Sequence, residues 1–325
     1  MVVLPIFTVL ICITIGRYSL SVSDVITGLY SIIRDGRDSV DGQFYTVVVN
    51  IRLPRIILAI MCGAGLAVSG AAFQSLFSNA LATPDTLGVA AGASFGAVLG
   101  LFFNLNLIAV QLLAITFGLA AVSLTFLISK KNGRISIIML ILSGMVVASM
   151  FNALISLVKF MADTEDQLPG ITYWLMGSLA NSNFKSLLIC SPLIIIGTAV
   201  IFVLRWRLDI LSLSEDEAIS QGIDIKALRI VFSLAATAIT ASCVSMSGQV
   251  GWIGLLIPHI CRMIFGSSAR NVVPASISLG AVFMLVIDTV ARSASSVEIP
   301  VSILTALIGA PIFIALLRRT GGGSL

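Results

Sequence analysis

Charge is scarce in this sequence. Lysine and arginine number 19, aspartate and glutamate 15, and histidine one, in 325 residues. A water-soluble fold needs more polar surface than that, so a soluble globular protein is excluded. The formal net charge of +4 is small and spread out, and no nucleic-acid partner is inferred from it. Chemistry-bearing motifs are also missing. There is no GxxxxGK(S/T) loop to cradle nucleotide phosphates, no HExxH, no GxSxG and no two-aspartate motif of an intramembrane enzyme. Cys12, Cys62, Cys190, Cys243 and Cys261 lie singly in apolar segments, without CxxC or other metal-ligand spacing, and read as packing residues. His259 has no second ligand evident near it, so no metal site is predicted.

Long apolar runs fill the chain instead, at a mean hydropathy of +1.09. A bilayer core of roughly 30 Å needs about 20 apolar residues per helical span. Only helices or closed barrels satisfy their backbone groups in lipid, and runs that are continuous rather than alternating are helices. Ten spans are predicted, over 1–16, 54–76, 86–103, 107–129, 136–158, 186–204, 228–247, 251–266, 272–291 and 299–317. They make residues 1–325 one transmembrane domain of an all-α membrane protein, with no room for a soluble catalytic domain. The first segment lacks a basic leader and a small-residue cleavage site and is expected to be a retained helix. Three polar stretches remain. The first, 17–52, reads as a loop. The second, 159–185, carries Tyr173-Trp174, which suggests a short helix at the membrane interface. The third, 205–227, is the most charged.

The distribution of lysine and arginine favours a cytoplasmic N-terminus. Eleven of the nineteen, among them Lys130, Lys131, Arg134, Arg205, Arg207 and Arg262, then fall inside, in the sense of the positive-inside rule. Both termini are then cytoplasmic. Arg52, Arg55 and Arg292 are exceptions, held tight against helix ends on the outer face, where a long side chain snorkels to headgroups or serves a partner. Gly88, Gly92, Gly96 and Gly100 recur every fourth residue, as do Gly63, Ala67 and Ala71. Such stripes let helix backbones approach in lipid.

Four segments rise above composition. They are Arg52-Leu53-Pro54-Arg55 with the Gly63–Gly70 stretch and Gln74; Asn79-Ala80-Leu81-Ala82-Thr83-Pro84-Asp85 before Leu87-Gly88; Gly251-Trp252-Ile253-Gly254 through Pro258-His259, with Arg262 a turn later; and Asp288 to Arg292, followed by Glu298-Ile299-Pro300 and Leu304 to Phe313. Together, in this order and over about 16–319, they resemble the permease subunits of binding-protein-dependent ABC importers for iron–siderophore complexes, haem and vitamin B12. The resemblance implies a BtuC-like type II importer fold of about ten transmembrane helices in a prokaryotic plasma (inner) membrane. It implies four kinds of neighbour: a second permease, identical or paralogous; two cytoplasmic ABC ATPases that bind the ATP and magnesium; an extracytoplasmic substrate-binding protein; and membrane lipid. No cofactor and no catalysis are expected on this chain.

The resemblance also assigns roles. Arg52, Arg55 and Arg292 match basic residues that pair with glutamates on the two lobes of the binding protein; Glu298 is an alternative, internal partner for Arg292. Coupling to the ATPase falls in 205–227, where Ser214 reads as an N-cap before Glu215, Asp216 and Glu217. Ala218 and Ile219 continue that short helix and Gly222 ends it; the plainer reading is a solvated acidic loop. The inner gate falls at Ser136 to Ile138, where Ile137 and Ile138 suggest a hydrophobic, dewetting constriction. Farther along the same span Ser149, Asn152 and Ser156 share a helix face, with Ser143 nearly a turn below, and either line a pathway or pack helices. Asp288 is expected to pair with an arginine, because intramembrane acids need a partner. An acid without a partner there would instead favour an ion-coupled secondary transporter, the alternative function. The sequence departs from the family at Ser302, where glycine is common, and at Asn79-Ala80, where asparagine–proline is common. The expected cargo is a ferric siderophore, with haem, cobalamin and molybdate-type oxyanions as the alternatives that the resemblance leaves open.

Overall fold

The computed structural model describes residues 1–320 apart from 2, 17, 19, 132, 133, 136 and 213–224. Ten apolar helices cover the predicted segments: α1 (Val3–Thr14), α3 (Gly42–Leu76), α4 (Val89–Phe102), α5 (Leu107–Ser129), α6 (Ile137–Met161), α8 (Phe184–Val203), α9 (Ile225–Ser247), α10 (Ile253–Phe265), α11 (Ala269–Ser293) and α12 (Val301–Thr320). In the polar stretches lie α2 (Val22–Asp35), α7 (Gln167–Leu175) and a single helical turn, Arg205–Leu208. Six of the helices, α3, α5, α6, α8, α9 and α11, are long and apolar enough to cross a bilayer. The apolar segments are thus unequal: α4 has 14 residues and α10 has 13. At 1.5 Å per residue each is about 20 Å long, short of a bilayer core. The sequence breaks both at their N-terminal ends, α4 at the left-handed Gly88 and α10 at Trp252, whose φ is 71°.

The stretch 17–52 is not a loop. Ser21 accepts from the Asp24 amide while Asp24 accepts from the Ser21 amide. This reciprocal capping box nucleates α2. Asp41 then caps α3, which begins well before the predicted span. Between Thr46 and Arg52 α3 is wound as a π-helix, with Leu53 N–H donating five residues back to Val48. Such turns are rare and gather at functional sites. This one leads directly into Arg52 and Arg55.

α3 is the axis of the molecule. Its most apolar stretch is 83 % buried, against 33 % for α5, α6 and α8, whose other faces are left for lipid or a partner. Small residues make this possible. A Cβ on Gly63 would overlap the Gly280 carbonyl of α11, and one on Gly70 would overlap Gly254 of α10. The predicted glycine stripe of α4 does the same work against α5, with Gly92, Gly96 and Gly100 lying on Phe117, Leu113 and Val110. Without a hydrophobic drive between helices in lipid, such backbone contact supplies the packing energy. Lys130–Lys131 and Arg134–Ile135 pair as a two-residue antiparallel ribbon between α5 and α6.

Candidate functional site

A buried ionic cluster sits where α3 leaves its π-helical stretch, beside the end of α11 and the end of α1. Arg55 Nε donates to both oxygens of Asp288, at 2.8 and 3.1 Å. Its Nη1 and Nη2 donate to Glu298 at 2.7 and 3.0 Å. The planar guanidinium thus serves two carboxylates with all three nitrogens, a geometry lysine cannot copy. Arg292 lies 3.8 Å from Asp288, one helical turn along α11. Arg52 and Arg292 also close α1. Arg52 donates to the carbonyls of Ile13, Thr14 and Tyr18, and Arg292 to that of Cys12. The last carbonyls of a helix lack intrahelical partners and carry its negative pole, so two cations there both cap and neutralise it.

Arg52 and Arg55 are only 4 % and 5 % exposed. The three arginines singled out in the sequence are therefore brought together, but each is engaged with internal partners. Asp288 has the arginine partners expected of it. Glu298 pairs with Arg55 rather than Arg292, a correction to the internal pair read from sequence.

Beside the cluster the ends of three helices are stitched by backbone hydrogen bonds. Ser178 N–H donates to Ser247, Val301 N–H to Gly177, and Ser302 N–H to Met176. Ser302 Oγ adds a second bond to the Met176 carbonyl, at 2.6 Å. The approach is close enough that only glycine serves at two points. Gly177 and Gly248 have φ of 77° and 68°, and a Cβ on Gly248 would overlap the Trp174 carbonyl. The end of α7 is thereby fastened to the end of α9 and the start of α12.

Below that junction lies a cavity of about 400 Å³. The first turns of the short helices α4 and α10 face it, through Ala90, Ala91 and Gly254. Thr83, Asn152, Thr240, Gln249 and Ser302 supply hydroxyls and amides. Helix N-termini present unpaired N–H groups and a positive pole. Asp85, in the connection between α3 and α4, is the charged residue of this lining. It is open to the cavity yet enclosed by protein, and burial pushes its carboxyl up to about 6. A second cavity of about 550 Å³ lies against α7, lined by Gln167, Tyr173, Trp174, Asn104, Ser186 and Ser245.

The pathway residues read from sequence divide. Ser149, Asn152 and Ser156 are exposed on one face of α6, as their spacing predicts. Asn152 lines the 400 Å³ cavity, while Ser149 and Ser156 donate back to Met145 and Asn152 within their own helix. Ser143 is buried. Ile138 is 71 % exposed at the start of α6; Ser136 and the side chain of Ile137 lie outside the described residues. So do Ser214, Glu215, Asp216, Glu217, Ala218, Ile219 and Gly222. Shortly before them Asp209 accepts from Ser268 Oγ at 2.8 Å and from the Ala269 amide at 2.6 Å, capping α11. His259 packs edge-on against Phe313. Among the described residues no group of three His, Cys, Asp or Glu side chains could hold a metal ion. Sequence reasoning missed Gln249, which donates to Ser94, and Thr240, whose place on the cavity follows only from how α9 packs. Two motif residues meet: Arg262 donates to the Gln74 side chain, which in turn donates to the Gly254 carbonyl at 3.2 Å.

Long spans around shorter apolar helices, with a polar cavity at the ends of the short helices α4 and α10, fit a transport permease. The chain belongs to the FecCD transport family, which it matches over residues 4–319. It is a permease subunit of an ABC importer, a multi-pass membrane protein and not an enzyme. It is 41 % identical to the molybdate import system permease protein MolB of Haemophilus influenzae, over 99 % of this chain and 95 % of that one. It is 38 % identical to a probable iron chelatin transport system permease protein of Helicobacter pylori, over 85 % and 83 %. A solved structure described as an inward-facing conformation of a putative metal-chelate type ABC transporter superposes with a TM-score of 0.87 at 40 % identity, covering 98 % of this chain and 97 % of that one.

Proposed function

We propose that this chain lines the translocation pathway of an importer for a small oxyanion of the molybdate type. The carrying observation is the 400 Å³ cavity faced by the first turns of α4 and α10, with hydroxyl and amide side chains around it. Half-helix N-termini aimed at a cavity favour anionic groups, and the Haemophilus relative is a molybdate import permease. The ferric siderophore expected from the sequence is the second reading, supported by the iron chelatin relatives. The test is calorimetry of molybdate and of a ferric siderophore with the cognate binding protein, followed by uptake into proteoliposomes. Molybdate binding and ATP-driven molybdate uptake are expected; binding of the ferric chelate alone overturns the oxyanion.

The assembly follows the same reading. A second permease, identical or paralogous, completes the pathway, two ATPases sit below, and a substrate-binding protein docks at the face carrying the ionic cluster. Arg52, Arg55 and Arg292 against Asp288 and Glu298 leave one net positive charge there, which steers an acidic partner. Coupling to the ATPase is assigned to Ser214 through Gly222, and the inner gate to Ser136, Ile137 and Ile138. Both termini are cytoplasmic and 159–185 is outside. An engineered cysteine at Asp163 should then react with a membrane-impermeant maleimide from outside, while one at Lys131 should not. The reverse pattern inverts every side-specific role.

A further inference from the structure

Glu298 occupies an unusual place in the ionic cluster. Asp288 lies on the inner side of Arg55, its side chain 3 % exposed, whereas Glu298 covers the fork with a side chain 29 % exposed. It follows a run of exposed residues, 293–297, and precedes a short strap. The strap is tied at successive steps: Ile299 N–H to Ala291, Val301 N–H to Gly177, and Ser302 by its amide and hydroxyl to Met176. Whatever moves Glu298 therefore pulls on the end of α7. One side of α7 has room to move, because the 550 Å³ cavity lies against Gln167, Tyr173 and Trp174. At its end, Ser302 both grips Met176 and lines the 400 Å³ cavity. The cluster also carries one positive charge more than its carboxylates neutralise, and its donors on Arg55 are already filled. A carboxylate arriving from outside reaches that fork only by replacing Glu298.

We propose that Glu298 is an internal stand-in for a carboxylate of the substrate-binding protein. On docking, the partner's carboxylate takes over the Nη1 and Nη2 donors of Arg55. Glu298 leaves, and the freed strap 298–302 lets the end of α7 shift over the cavity. This rests on the docking reading above, and its failure is separable from that of the reading.

The experiment uses the permease–ATPase complex in lipid nanodiscs with its cognate substrate-binding protein. The native cysteines are buried, so spin labels at Gly170→Cys on α7 and Ala294→Cys beyond α11 report the α7 position. In Glu298→Gln, association should tighten about fivefold or more, the lower end of ordinary site-to-site coupling. Its label distance without binding protein should already match that of the docked wild type. Asp38→Asn makes the same charge change on an exposed turn away from α7 and controls for steering; it should alter association less than about twofold. Arg55→Lys keeps the charge but loses the fork and should weaken association. If Arg55→Lys weakens association while Glu298→Gln leaves affinity and label distance as in wild type, the exchange is wrong and docking stands. If neither variant changes association, the docking reading falls and the exchange with it. An effect of Asp38→Asn equal to that of Glu298→Gln reduces the result to steering and also overturns the exchange.

Discussion

The ionic cluster and the cavity use polar residues in opposite ways. In the cluster, full charges are buried and every guanidinium nitrogen of Arg55 is spent on protein. In the cavity, polar groups are mostly neutral, and several face open space. Burying ions costs several kcal/mol each unless partners compensate them, so the cluster is rigid only as a whole. A surface that a cargo must leave again needs weak, numerous contacts. The two regions are joined by the stitched ends of α7, α9 and α12, so a change in one has a direct route to the other.

The sharpest way to break that contrast is Arg55→Ala. It strands Asp288 without its main partner and should destabilise the protein by about 3–5 kcal/mol. Loss of folded protein in the membrane and a lowered melting temperature in detergent are the measurements. Replacing Asp288 as well, by Leu, should restore much of that stability; an equal loss in the double variant would mean the fork, not the stranded charge, matters. Next in size is Gly248→Val. A side chain there collides with the Trp174 carbonyl in a backbone conformation that disfavours β-branched residues. A cost of about 1–3 kcal/mol is expected, together with lost uptake, and normal uptake would show that the junction is slack.

Asp85→Asn tests the cavity side. With its carboxyl raised to about 6, Asp85 is ionised above that pH and mostly neutral below it. Anion uptake by the wild type should therefore rise as pH falls through about 6. The asparagine variant should be flat over the same range. A profile unchanged by the substitution removes Asp85 from the path. The smallest effect is expected from Ser149→Ala, which loses only a bond to its own helix. Stability should shift by less than about 0.5 kcal/mol with uptake unaltered, whereas Asn152→Ala should slow uptake measurably without unfolding.

Much of this organisation is legible in the sequence, for identifiable reasons. Continuous apolar runs mark helices whatever they pack against, so all ten segments appear. The shortness of α4 and α10 is less visible, because apolar residues flank both breaks: Leu87 and Val89 at Gly88, Val250 and Ile253 at Trp252. Ser21 and Asp24 carry a local signal for α2, but the many charges of 17–52 make that stretch read as a loop. The pairing of Arg55 with Glu298 spans 243 residues and has no local signature; nearness in sequence favours Arg292 instead. Ser302 shows how a departure from a family pattern becomes interpretable. Its hydroxyl supplies a bond to Met176 that glycine could not.

α11 is held at both extremities by acids of different kinds. Asp209 clasps its first amide from the linker that leads to 213–224, and Asp288 ties its last turns to Arg55. From Ala269 to Asp288 run 20 residues of helix, a strut about 30 Å long. A strut clasped at its tips behaves as a lever. A tilt of about 5° about one tip carries the other through about 3 Å, comparable to half a helical turn. Pro274 falls in its first two turns, which places its softest point beside Asp209 and leaves the long arm stiff toward the ionic cluster.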